Sequence, residues 1–292
     1  MKNSDGNSTL KILWLGCGDI GNRFGKYVCD SHQCFGVRRQ IANVQPPLIP
    51  IFADILDREN MHSVMSNDFD IVIVTLTPDE YSPSGYWTTY FEGASSIKYA
   101  LDTALKKPKL VIWVSSTRVY RDANEATVDE STPLVNSDEY VKALICAENK
   151  INSYDGKTVI IRFSGIYGEH RCHLLHSVLN GFGGNVSSDT WTNRIHIEDC
   201  VRFIAFLVDR YVDGSVLENL YIGTDNVPVK QTDIRFWLAK KLNVTLDKKI
   251  EGSHKGYRLK NNLLLSTGFK LKYPSYKEGY ENIIEKIDLN LP

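Results

Sequence analysis

The sequence predicts an α/β protein built on a doubly wound parallel sheet, with a smaller carboxyl-terminal lobe. Apolar runs such as Ile71-Val72-Ile73-Val74 and Leu110-Val111-Ile112-Trp113-Val114 read as strands covered on both faces. Amphipathic helical patterns alternate with them, as right-handed crossovers between parallel strands require. A glycine turn, Gly16-Cys17-Gly18-Asp19-Ile20-Gly21, stands between the first run and the first helix.

In chain order the expected strands are Lys11–Leu15, Gln33–Val37, Leu48–Phe52, Ile71–Leu76, Leu110–Ser115 and Thr158–Phe163. Helices are expected near Ile20–Cys29, where Phe24, Tyr27 and Val28 form an apolar stripe, and near Arg58–Met65, Tyr86–Leu105 and Asp138–Ser153. From about Gly165 the alternation loosens. Residues 10–168, completed by elements near 196–224, make the expected sheet domain, and 169–195 with 225–292 the smaller lobe. The polar leader Met1–Thr9 lacks a signal-peptide apolar stretch and is expected to fray.

A strand, a glycine turn and a helix start together suit a dinucleotide pyrophosphate, the Rossmann-type arrangement. Gly16 permits the tight turn, Gly18 lets the backbone approach the phosphates, and Gly21 lets helix and strand pack closely. The helix start at Asp19 and Ile20 offers free N–H groups and a positive dipole end. The competing reading is a plain βα turn whose glycines serve packing. Cys17 reads as a small filler.

The second strand ends in Gly36-Val37-Arg38-Arg39, where an acid would otherwise accept from the ribose hydroxyls. A guanidinium cannot accept those bonds, but it pairs well with a 2′-phosphate. NADP(H) is therefore favoured over NAD(H); the alternative leaves Arg38 and Arg39 as solvated turn residues. Asp54 and Ile55 after the third strand, Thr75-Leu76-Thr77 after the fourth and Ser115 on the fifth complete the expected cofactor contacts.

Composition excludes other classes. The 34 basic and 35 acidic residues give −1, so no electrostatic case for nucleic acid or an anionic membrane exists. No apolar run approaches the roughly 20 residues of a bilayer span. Six scattered cysteines suggest reduced thiols in a cytoplasm.

Further motifs, in order, are Val114-Ser115-Ser116-Thr117-Arg118-Val119-Tyr120, Asp129-Glu130-Ser131-Thr132-Pro133, Arg162-Phe163-Ser164-Gly165-Ile166-Tyr167-Gly168, Asn193-Arg194-Ile195-His196-Ile197-Glu198-Asp199 and Gly268-Phe269-Lys270-Leu271-Lys272-Tyr273-Pro274-Ser275-Tyr276-Lys277-Glu278-Gly279. With the glycine turn they resemble the extended short-chain dehydrogenase/reductases, the NAD-dependent epimerase/dehydratase group, and within it an atypical YeeZ-like branch. The resemblance spans residues of about 10 to 285. It implies a Rossmann domain, a substrate lobe, a small-molecule substrate and, through sheet-domain helices, a homodimer.

The family's chemistry uses a Ser or Thr, a Tyr that carries a proton, and a Lys four residues later. By resemblance Ser116 and Tyr140 take the first two places, and Glu148 the acidic place that follows. The lysine place holds Leu144. An unassisted phenol is barely ionised at neutral pH, and leucine supplies no cation. Lys142, two residues from Tyr140, points elsewhere on a helix. Three readings stay open: Tyr140 works with help from the nicotinamide or another residue, one of His170, His173 and His176 takes over, or the fold binds its dinucleotide without turnover. The expected activity is that of an oxidoreductase or epimerase/reductase-like enzyme on a small carbonyl, hydroxyl or sugar-derived substrate. A non-catalytic sensor or scaffold is the rival, and a nucleotide-sugar epimerase or dehydratase the third option; Thr117-Arg118 stands where the family's dehydratases carry acids.

His170 and His173 are expected to border the substrate site. With Cys172 their spacing matches no strong zinc signature, and no metal is expected. Arg194 either contacts a substrate phosphate or pairs with Glu198, Asp199 or another acid. Trp191, Trp237, Tyr257 and Tyr276 line a pocket or, more simply, belong to the core.

Overall fold

Seven strands form one sheet in the computed structural model, which describes residues 9–186, 189–250 and 255–286. The chain runs through β1 (Lys11–Leu15), α1 (Asp19–Val28), β2 (Gln33–Arg38), β3 (Ile49–Phe52), α2 (Arg58–Met65), β4 (Ile71–Val74), α3 (Pro83–Tyr86), α4 (Gly93–Thr103) and β5 (Leu110–Ser116). It continues with β6 (Thr127–Val128), α5 (Glu139–Asn152), β7 (Lys157–Phe163), β8 (Gly165–Tyr167), α6 (His173–Leu179), β9 (Phe182–Val186), β10 (Trp191–Thr192), β11 (Arg194–His196), α7 (Ile197–Val212) and β12 (Leu220–Gly223). After these come β13 (Val229–Lys230), α8 (Gln231–Leu242), β14 (Lys248–Ile250), β15 (Arg258–Leu259), α9 (Asn262–Ser266) and α10 (Tyr276–Lys286). Of the expected leader, all but Thr9 lies outside the described residues.

The sheet order is β12-β7-β5-β4-β1-β2-β3, and every pair from β3 through β5 is parallel. The order reverses between β1 and β4, so their carboxyl ends open a crevice, the place where open α/β sheets bind ligands. This is the doubly wound fold expected from the alternating pattern. Leu13, Leu15, Val72, Val74, Val111 and Trp113 from the strands pack with Met61, Met65, Ile97, Leu101, Ala147 and Ile151 from the helices. Each fully buried aliphatic side chain contributes about 1.5–3 kcal/mol.

Two segments depart from expectation. Strand β4 stops at Val74 rather than Leu76. Thr75 N still donates to Leu15 O at 3.0 Å, but its hydroxyl turns to Gly16 O at 3.0 Å and ends the ladder. The helix expected over Tyr86–Leu105 starts earlier, at Pro83, because Ser82 Oγ accepts from Gly85 N at 3.1 Å and proline suits the first turn. A π-helical stretch, Trp87–Glu92, then interrupts it before α4.

The residues divide into two units. One comprises Met1–Val119, Asn136–Arg162 and Val201–Tyr221; the other Tyr120–Val135, Phe163–Cys200 and Ile222–Pro292. Residues 120–135 and 163–168 thus group with the second unit. Its core joins Leu175, Val178, Ile234, Leu238, Tyr276, Tyr280 and Ile283. Trp237 and Tyr276 meet edge to face at 5.4 Å in that core, whereas Trp191 lies between Lys230 and Arg258 at 4.7 and 5.2 Å. Among the described residues no helix is long and apolar enough to cross a membrane.

Candidate cofactor and active site

At two positions of the glycine turn, contacts leave no room for a side chain. Gly16 has φ +72°, and a Cβ there would stand 2.3 Å from Thr75 O. A Cβ at Gly21 would meet Trp14 Nε1 at 2.8 Å and Cys17 Sγ at 2.9 Å, so this glycine brings α1 against β1. Gly18 differs: a Cβ would find only Gly16 O, at 3.9 Å, within reach. It precedes α1 with no side-chain cap, so the helix start faces open space where an anion would be welcome. Burial pushes the Cys17 thiol up to about 12, which makes it the inert filler its position suggests.

A cavity of about 740 Å³ opens beside this turn. Gly16, Gly18, Arg38, Arg39, Asp54, Ile55, Thr75, Leu76 and Thr77 line it, together with Gln40, Asp79 and Thr89. Nine of the expected cofactor contacts therefore converge. Asp19, Ile20, Gly21 and Ser115 do not reach the lining. Asp19 pairs with Arg23 at 2.7 Å, Ile20 is buried, and Ser115 donates to Glu148 Oε1 at 2.5 Å. Glu148 in turn receives Arg162 Nε at 3.0 Å and Nη2 at 2.5 Å, a buried cluster that locks α5 to β5 and β7.

The two arginines behave differently. Arg38 Nη1 donates to Cys17 O at 3.4 Å and stays at the turn. Arg39 Nη2 donates to both carboxylate oxygens of Asp79 at 2.7 Å. That hydrogen bond and charge raise the Arg39 guanidinium above its ordinary range. Asp54 Oδ1 accepts from Leu56 N at 3.0 Å. The lining fits a dinucleotide: an open helix start, a turn held close to β4 by Gly16, and two guanidinium groups at the far end of β2.

Ser116 and Tyr140 are joined through a third residue. Ser116 Oγ accepts from Arg118 N at 3.2 Å, which leaves its O–H free to donate. The Arg118 guanidinium lies over Tyr140, 4.5 Å from the ring centroid, and within 5.7 Å of the centroids of Tyr81 and Tyr86. It donates to Tyr81 Oη and sits 3.6 Å from Asp138, whose carboxylate also caps α5 by accepting from Val141 N at 2.8 Å. Tyr81 and Tyr86 pack on Tyr140 at 5.5 and 4.9 Å. Burial, then the neighbouring Tyr81, raises the Tyr86 phenol. Leu144 is buried, and Lys142 points away to Glu139 at 3.6 Å. The sequence offered no spacing rule for Arg118, because its turn follows β5 while Tyr140 opens α5.

In the second unit His170, His173 and His176 are exposed, and Cys172 Sγ donates to Gly168 O at 3.2 Å. Among the described residues no three His, Cys, Asp or Glu side chains gather as a metal ligand set. Arg194 is buried, donates from Nη2 to Thr192 Oγ1 at 2.8 Å, and has Nη1 unpartnered. The expected acids lie elsewhere: Glu198 pairs with Lys272 at 2.7 Å, and Asp199 accepts from Lys272 N and Tyr273 N. Asp225 is buried too, with Oδ2 unpartnered, and the Arg194 charge acts to lower its carboxyl.

Comparison with known proteins gives consistent relatives. The model of the NAD dependent epimerase/dehydratase family matches residues 18–223. A Methylobacillus flagellatus structure, provisionally designated an NAD-dependent epimerase/dehydratase, is 30% identical, with 95% of this chain and 98% of that one covered and a TM-score of 0.81. Human epimerase family protein SDR39U1, solved with NADPH, is 15% identical, with 95% and 100% covered and a TM-score of 0.76. The dTDP-glucose 4,6-dehydratase of Bacillus anthracis, solved with NAD, is 14% identical, with 95% and 96% covered and the same TM-score of 0.76. These two likenesses concern the fold. No curated protein matches the chain.

Proposed function

The chain belongs to the NAD-dependent epimerase/dehydratase family, and from that membership we propose an NADP(H)-dependent oxidoreductase acting on a small carbonyl, hydroxyl or sugar-derived substrate. The observation that carries this reading is the meeting of Gly16, Gly18, Arg38 and Arg39 on one cavity. The glycine turn suits the pyrophosphate and the guanidinium groups suit a 2′-phosphate. Free cysteines throughout the described chain suit a reducing cytoplasm.

When bound, the nicotinamide supplies or accepts the hydride. The chain's own residues handle the proton and the orientation. Ser116 donates its O–H to the substrate oxygen, and Tyr140 passes a proton to or from that oxygen. Arg118 keeps a positive charge against the ring as negative charge develops on the phenol, a task the family assigns to lysine. In the second unit Arg194, with one nitrogen unpartnered, is the proposed contact for an anion.

A second reading, dinucleotide binding without turnover, is favoured by Leu144 in the lysine place. Titration with NADPH and NADH, followed by nicotinamide fluorescence, tests the cofactor. A panel of carbonyl substrates with NADPH, run on the wild type and Tyr140→Phe, separates the two readings. Turnover lost in the variant supports catalysis through Tyr140, and none in either supports a binding protein.

A further inference from the structure

The adenosine end of the cavity holds two guanidinium groups, Arg38 and Arg39, and two carboxylates, Asp54 and Asp79. They are not equivalent. Asp79 chelates Arg39 through both oxygens at 2.7 Å, across a separation of 40 residues, and both side chains are largely exposed, at 74% and 55%. Asp54 is tied to its own loop through Leu56 N, and Arg38 to Cys17 O. Of the four, Arg39 and Asp79 form the pair that can open without breaking the backbone turn around them.

Resting on the reading of this cavity as an NADP(H) site, we propose that Asp79 sets the cofactor preference by acting as a built-in competitor for Arg39. A 2′-phosphate must take the guanidinium from the carboxylate and then lie near a like charge. A ribose hydroxyl carries no charge and gains an acceptor in the same carboxylate. Asp79 therefore weakens NADPH and is neutral or helpful to NADH. An exposed ion pair is a weak competitor, so the effect is a tuning of preference rather than a block. Asp54 also lines the cavity and its charge acts on Arg39, so a carboxylate remains near the guanidinium once Asp79 is removed.

The test is equilibrium binding to the full chain, read by nicotinamide fluorescence for NADPH and NADH and by calorimetry for adenosine 2′,5′-bisphosphate. Asp79→Asn should tighten NADPH and the bisphosphate by about threefold to tenfold and leave NADH within about twofold. Arg39→Met should weaken NADPH, and adding Asp79→Asn to it should change nothing more, because the coupling runs through that one guanidinium. Asp79→Ser repeats the measurement should the asparagine variant misfold. If Asp79→Asn shifts both coenzymes equally, or neither, while the wild type binds NADPH, the competitor role is overturned and the cofactor reading stands. If the wild type binds neither coenzyme, both are overturned.

Discussion

The Arg118 guanidinium stacks on the Tyr140 ring at 4.5 Å, so a cation stands beside this phenol. The backbone N–H of the same arginine holds Ser116 Oγ at 3.2 Å. Asp138 and the three tyrosines keep the guanidinium from swinging into solvent.

Arg118→Met should therefore lower turnover of any carbonyl substrate that the panel uncovers, by about 10²–10³-fold, approaching the loss in Tyr140→Phe. Arg118→Lys should recover part of it. The double variant should be little worse than Tyr140→Phe alone, since the two residues act as a unit. Additive losses would separate them.

Two glycines of the turn should respond differently. Gly16→Ala forces a Cβ to 2.3 Å from Thr75 O at positive φ, so melting temperature and NADPH binding should fall together. Gly18→Ala meets nothing closer than 3.9 Å and should fold normally, yet weaken NADPH by tenfold or more. Thermal melts beside fluorescence titrations check both.

Glu148→Gln leaves the Arg162 guanidinium buried against a neutral partner. The loss should be about 3–5 kcal/mol of stability, measured by urea unfolding. Retained stability would mean that Ser115 and the amide share the guanidinium without cost.

Burial pushes the Asp225 carboxyl up to about 7, with Arg194 pulling in the opposite direction. In the unfolded chain an aspartate titrates near 4, so the folded state holds its proton more tightly. This group's contribution is then full at acid pH and is lost as pH rises from about 4 to 7, staying lost above. The size is at most about 4 kcal/mol. Asp225→Asn should erase that part of the slope, so its melting temperature relative to wild type should rise between pH 4 and pH 8. A constant difference would place the proton elsewhere.

Local chemistry was readable from residues alone. The glycine turn, the parallel strands and the helices of the sheet unit follow from neighbours within a few positions: small residues where the backbone bends, and apolar runs where both faces are covered. Even the errors at element ends were local, as when the Thr75 hydroxyl turned to Gly16 O. Ser115, expected among the cofactor contacts, is set by a longer reach. The alternation along β5 sends its hydroxyl to Glu148 rather than to the cavity.

The long-range pairings of charged side chains are of another kind. Arg39 with Asp79 and Arg118 with Tyr140 each join residues from different elements. No periodicity encodes them, because a long side chain's partner depends on which strand ends and loops the sheet order brings side by side. The order of residues thus settled which elements form and that their strands stack in parallel. Only the folded arrangement chose each charge's partner, since electrostatic contact acts through a few ångströms of space and is blind to distance along the chain.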